Sequence, residues 1–170
     1  MEYDKDIRWK CDTANHRPEQ RMDLLSDPNC MPGFNDSGAH NVNMAFHDGG
    51  LQMLAQVYEN QDKMSIERAI HRITKETADF LNIDCGDISE GKTADLIVVD
   101  PSRFKTDLTL EPTEDHHPML EGGYRLVKRS GKVVQHVFVG GEEVYKNNGT
   151  VGFHPELGKR KFGKLLRSKS

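Results

Sequence analysis

Between Met31 and His40 the chain reads Met-Pro-Gly-Phe-Asn-Asp-Ser-Gly-Ala-His, a turn-forming stretch holding one acid, Asp36. Gly38 and Ala39 after it leave little side chain to obstruct close approach of backbone or ligand. A carboxylate so placed can ligate a metal or take a proton from an attacking water. The same spacing also suits an Asx turn capping a helix. His40 lies four residues on, so it can share a face with Asp36 if a helix starts there, or cap and pack that helix instead. Asp36 is the candidate catalytic and metal-binding residue, and Ser37, Gly38 and His40 are the candidate substrate contacts.

Other histidines are weaker candidates. His47 and Asp48 read as a rim of the same site or, better, as a helix entry with Asp48 as N-cap. His116 and His117 are neighbours whose side chains diverge, which suits a solvated loop better than a shared metal. Cys11, Cys30 and Cys85 are an odd number at wide spacing, with no Cys-x-x-Cys pair, against both a disulfide scaffold and a zinc knuckle.

Elements must position these residues. Arg17-Pro18-Glu19 opens a short helix to about Leu25, stopped by Asp27-Pro28-Asn29. Met31 to Phe34 is the place for a short buried strand leading into Asp36. A helix follows from Gly49 or Gly50 to Glu59, with Leu51, Leu54, Ala55 and Tyr58 as its apolar face. Ser65 caps the next, with Ile66, Ala69, Ile70 and Ile73 as a stripe; Thr74 interrupts it before Thr77 to Leu81. Leu96 to Val99 reads as a buried strand ended by Pro101, residues 102–123 as an irregular loop, and Gly140-Gly141 as a two-residue hairpin turn between Lys132–Val139 and Glu142–Tyr145.

The chain has 170 residues, 35% of them hydrophobic, and a mean hydropathy of -0.71, low for a self-contained core. Its net charge of -4 conceals a basic end: residues 159–170 carry six basic side chains and no acid, leaving residues 1–158 at -10. Most of the surface should therefore repel nucleic acid, and the basic segment alone is a weak RNA or anionic-membrane signal. No secretory leader or bilayer-spanning apolar run is legible, so the expectation is a cytoplasmic chain with no membrane or nucleic-acid partner.

The Met31–His40 segment resembles the Ser-Asp-Ala-Gly-Ala-His signature of N-acyl-D-amino-acid deacylases (D-aminoacylases) in the metal-dependent amidohydrolase superfamily. The likeness extends to Asn43-Met44-Ala45-Phe46, Thr74-Lys75-Glu76-Thr77-Ala78, Gly86, Ile88, Gly91, Ala94-Asp95-Leu96, Val137, Val139, Gly140-Gly141 and Gly163-Lys164-Leu165-Leu166-Arg167. Asn35 stands where the family often has serine. The resemblance implies an α/β fold: the C-terminal end of a TIM-like barrel (residues 1–84) followed by part of a small β-sandwich with a basic C-terminal segment (85–170), incomplete on its own. A barrel of this kind takes roughly 250 residues, whereas 35 precede Asp36.

It further implies hydrolysis of a non-peptide C–N bond, such as that of an N-acyl amino acid, with zinc polarising the carbonyl and Asp36 accepting the water's proton and relaying it to the leaving amine. The family's centre also needs a His-x-His pair, a bridging cysteine or carboxylated lysine, and two further histidines. No His-x-His occurs here and no cysteine stands in the bridging context. The resemblance implies zinc in the intact family; one carboxylate alone holds it poorly, and the chain is expected to be inactive until the rest of the barrel completes it. The alternative is a non-catalytic interaction module that self-associates into a homo-oligomer or binds a parent subunit.

Overall fold

The computed structural model describes residues 16–33, 47–116, 124–127, 132–147, 149 and 151–168. The chain falls into two compact units, Met1–Met31 and Pro32–Ser170. In the first, helix α1 (Pro18–Ser26) opens on a proline, whose missing N–H costs nothing in a first turn, and buries Met22. It stops where Asp27 Oδ1 accepts the Asn29 backbone N–H at 2.8 Å, an Asx turn that competes with another helical turn.

The second unit begins without the expected strand: Met31–Gly33 carry no regular structure, and Phe34 lies outside the described residues. Pro32 lacks a ladder donor and Gly33 has no side chain to pack. Helix α2 (Gly49–Glu59) forms as expected, but the buried face is Met53, Leu54 and Val57, while Tyr58 is exposed. Helix α3 (Ile66–His71) starts where Ser65 Oγ accepts the Arg68 backbone N–H at 3.2 Å. It buries Ala69 but leaves Ile70 exposed.

Thr74 does not interrupt the helix. The chain passes through a π-helical turn, Arg72–Glu76, into helix α4 (Thr77–Phe80). Thr77 Oγ1 donates to the Arg72 carbonyl at 2.9 Å and Thr74 Oγ1 to the Ile70 carbonyl at 2.7 Å, so hydroxyls bond the carbonyls of the widened turn. Asn82, at φ 53, reverses the chain, and the loop folds back until Gly86 lies against Thr74 and Lys75.

Strand β1 (Leu96–Val99) follows, but it is not buried: Ile97 and Val98 are exposed. After it the expected irregular loop contains structure. A 3-10 turn (Pro101–Arg103) leads into helix α5 (Phe104–Asp107), whose Phe104 and Leu108 are core residues; Phe104 meets the Tyr58 ring edge-on at 5.8 Å. Strands β2 (Thr113–His116) and β3 (Tyr124–Val127) then form an antiparallel pair, with Asp115 opposite Arg125. Polar at every position, Thr-Glu-Asp-His carries no strand pattern of its own, and its partner β3 defines it.

Strands β4 (Val134–Val139), β5 (Glu142–Asn147) and β6 (Val151–Phe153) complete a four-stranded antiparallel sheet in the order β1-β4-β5-β6. Gly140 (φ 61) and Gly141 (φ 87) form the expected hairpin turn, both at the positive φ that a type I′ connection requires. Register slips at Val137/Phe138, where Val144 becomes the extra residue and is buried. The pairings Ile97↔Val137, Val137↔Tyr145 and Tyr145↔Phe153 set an apolar row across all four strands.

Two glycines at similar φ separate backbone strain from close packing. A Cβ on Gly86 (φ 86) would lie 2.7 Å from the Thr74 carbonyl carbon, whereas one on Gly91 (φ 82) would meet nothing within 4 Å. Gly91→Ala is expected to cost about 1 kcal/mol, and Gly86→Ala about 3 kcal/mol, in urea unfolding; equal costs would mean that the loop does not seat on the π turn.

Candidate functional site

The four residues singled out for chemistry, Asp36, Ser37, Gly38 and His40, lie outside the described residues. What is described is the element at their C-terminal side. Asp48 precedes α2 as expected, and its carbonyl accepts the Gln52 backbone N–H at 2.9 Å. Its side chain does not cap the helix. Instead Asp48 Oδ2 accepts from Gln52 Nε2 at 2.8 Å, and the same amide donates to the Leu108 carbonyl at 3.0 Å. The start of α2 is thereby tied to the turn after α5. Asp107 beside it is also buried, its Oδ1 accepting from Thr106 Oγ1 at 2.7 Å.

Helix α2 closes on the π-helical segment, since a Cβ on Gly50 would stand 3.7 Å from Ile73 Cδ1. That segment carries a group that the sequence reading passed over. The Arg72 side chain has no exposed surface, and its Nε is 3.5 Å from Glu76 Oε1. The other Glu76 oxygen takes Arg68 Nη1 at 2.5 Å, and Arg68 Nη1 also lies 3.0 Å from His71 Nδ1. Glu76 thus joins one fully buried and one surface guanidinium. Arg68, Arg72 and Glu76 recur every four residues, a face-sharing pattern legible in principle but masked by the apolar stripe beside it.

The histidines do not converge. His47 is exposed; His116 is exposed, with Nε2 3.8 Å from Glu114 and its ring against Tyr124; His117 lies outside the described residues. His154 Nδ1 accepts the Glu156 backbone N–H at 3.1 Å and its ring meets Phe162 edge-on. Among the described residues no group of three or more His, Cys, Asp or Glu side chains is placed to hold a metal ion. Those residues do not fit a zinc centre. A further pair, His136 Nδ1 and Glu143 Oε1 at 2.6 Å, crosses the sheet between β4 and β5 with the imidazole stacked near Phe138.

The basic end is partly engaged in the fold. Arg160 grips Glu142 with both guanidinium nitrogens, at 3.1 and 2.5 Å, and its Cζ stands 3.9 Å over the Phe162 ring. The hydrogen bond from Arg160 holds the Glu142 carboxyl below its ordinary range. A Cβ on Gly140 would lie 2.9 Å from the Phe162 carbonyl oxygen, so the segment seats on the hairpin turn. Among the described residues no helix is long and apolar enough to cross a membrane.

Residues 15–144, which run from just ahead of α1 into β5, match the amidohydrolase family. The chain belongs to that family. It is 34% identical over 175 aligned positions to uncharacterized proteins of Mycobacterium tuberculosis (strains H37Rv and CDC 1551) and Mycobacterium bovis, an alignment covering 97% of this chain and 28% of each relative. The chain therefore spans somewhat over a quarter of the length of the curated relatives it matches. No solved structure matches it.

Two outcomes follow from these ion pairs. Glu76→Gln removes the carboxylate facing a buried guanidinium and should cost about 2 to 3 kcal/mol in denaturant unfolding, near the lower end for buried pairs because Glu76 keeps some solvent contact; a change below about 0.5 kcal/mol would show that Arg72 does not depend on it. Because Glu142 is more acidic in the folded chain, its contribution is present above its unfolded value and lost as pH falls through the lower folded one. The amide resonance of Phe162, whose ring lies under the Arg160 guanidinium, should accordingly shift with a midpoint below the ordinary glutamate range, and stop shifting in Glu142→Gln.

Proposed function

We propose that this chain is the C-terminal portion of a metal-dependent amidohydrolase acting on the C–N bond of a small amide, of the N-acyl-amino-acid deacylase kind. The observation that carries the reading is the family match over residues 15–144, which contains the Asn-Asp-Ser-Gly-Ala-His segment. In this reading residues 1–84 belong to the end of a TIM-like barrel and residues 85–170 to a β-sandwich. The antiparallel sheet of β1, β4, β5 and β6 supports the second assignment.

Asp36 takes the proton of the attacking water and returns it to the departing amine nitrogen, leaving a carboxylic acid and a free amine. Ser37, Gly38 and His40 border the substrate, with the small residues allowing it close approach. In this reading the metal would be held together with ligands from the part of the relatives' length that this chain does not span, and Asp36 would be this chain's contribution. The setting we propose is cytoplasmic.

A second reading is a non-catalytic module that associates with itself or with a parent subunit. Exposed apolar residues favour it, notably Ile97 (57%) and Phe153 (63%) at the two ends of the cross-sheet row.

Amine release from a panel of N-acetyl and N-formyl D- and L-amino acids with added zinc tests the enzymatic reading. The isolated chain is expected to show no turnover above buffer. Grafted in place of the matched part of a mycobacterial relative it should support turnover, falling at least about a thousandfold in Asp36→Asn, as for removal of an essential proton acceptor. Undiminished turnover in the graft carrying Asp36→Asn would remove Asp36 from the chemistry.

A further inference from the structure

Two exposed features complement each other in charge and apolarity. One is the end of the helical run, where Phe80 (73% exposed), Leu81 (51%) and Ile88 (88%) are uncovered. The Ile83 backbone N–H bonds to the Ala78 carbonyl at 2.9 Å and Gly86 abuts Thr74 and Lys75, so residues 80–88 stay close to the helix they follow. Asp79, Asp84, Asp87 and Glu90 flank these side chains with no base among residues 79–90. Lys75 pairs with Asp79 and Lys92 with Asp84, and the four acids still outnumber these two lysines.

The other feature is the basic end beyond its anchor. Arg160 and Phe162 fix the segment to the hairpin turn, and Gly163 lies against Val139, where a Cβ would approach Cγ1 at 3.0 Å. Residues 164–168 have no regular structure, and Leu165 (76%) and Leu166 (38%) stand exposed between Lys164 and Arg167. Basic side chains flanking two leucines match an apolar surface flanked by acids.

We propose that Lys164–Arg167 of one copy docks on the Phe80–Leu81–Ile88 surface of a second copy. Within one chain both features are uncovered at once, so neither satisfies the other intramolecularly. Each chain carries one of each, so reciprocal exchange about a two-fold axis closes a dimer. With two leucines as its apolar anchor the contact is small, and the dimer is weak and salt-sensitive.

Sedimentation velocity of the whole chain over a range of concentrations tests this. A monomer–dimer equilibrium is expected, weakening about tenfold between low and high salt. Lys164→Glu with Arg167→Glu should weaken it at least about tenfold, as should Asp84→Lys with Glu90→Lys, and an equimolar mixture of the two reversed chains should recover association. Deleting residues 164–170, all beyond the anchored stretch, keeps the test open should a reversed chain fold poorly, and is expected to give a monomer. A chain monomeric throughout, a dimer indifferent to the deletion, or no recovery in the mixture would each overturn the proposal.

Discussion

The Gly140-Gly141 turn holds the strand half of the molecule together. Two successive residues at positive φ make the two-residue connection that joins β4 to β5, and a side chain at either would be strained. The turn also gathers distant chain. Gly140 N–H donates to Asp95 Oδ1 at 2.7 Å and Gly141 N–H to the Ala94 carbonyl at 2.9 Å, which aligns the entry to β1. On its other side the Phe162 carbonyl approaches so closely that only glycine fits. Three segments far apart in sequence are thus fixed by one dipeptide, and the register of β1 against β4 follows.

An equivalent constraint organises the helical half. The π turn displaces Arg72 into the interior, where Glu76 faces it, and gives Gly86 a backbone surface to close on. Burying a guanidinium is unfavourable unless its hydrogen-bonding groups are met, so the widened turn and the ion pair stand or fall together. The start of α2, ahead of these turns, is tied through Asp48 and Gln52 to the Leu108 carbonyl. Asp36 itself lies outside the described residues, and the chemistry proposed for it rests on the family to which the chain belongs.

Local signals were legible where short-range physics decides. Ser65 as a cap, Pro18 at a first turn, the Asp27 turn and the diglycine hairpin all fell where the sequence placed them, since each depends on a few adjacent residues. What depended on partners was not legible. Strand β2 is polar and exists through β3; Phe104 and Leu108 form core inside an apparent loop because α2 passes over them; and Leu96–Val99, apolar enough for an interior, leaves Ile97 and Val98 exposed. Asp36 lies outside the described residues, and the burial of Arg72 was not legible because an arginine within an apolar stripe reads as a surface residue until its carboxylate partner is seen.

The central claim is that this stretch of an amidohydrolase contributes a single carboxylate, Asp36, to a metal centre whose other ligands lie elsewhere. Zinc content of the purified 170-residue chain by elemental analysis after dialysis, beside that of Asp36→Ala, addresses it most directly. Tight sites use three or four ligands. The account predicts well below one zinc per chain and no difference between the two proteins. Near-stoichiometric zinc that disappears in Asp36→Ala would contradict it, because the chain would then assemble the centre by itself or across copies.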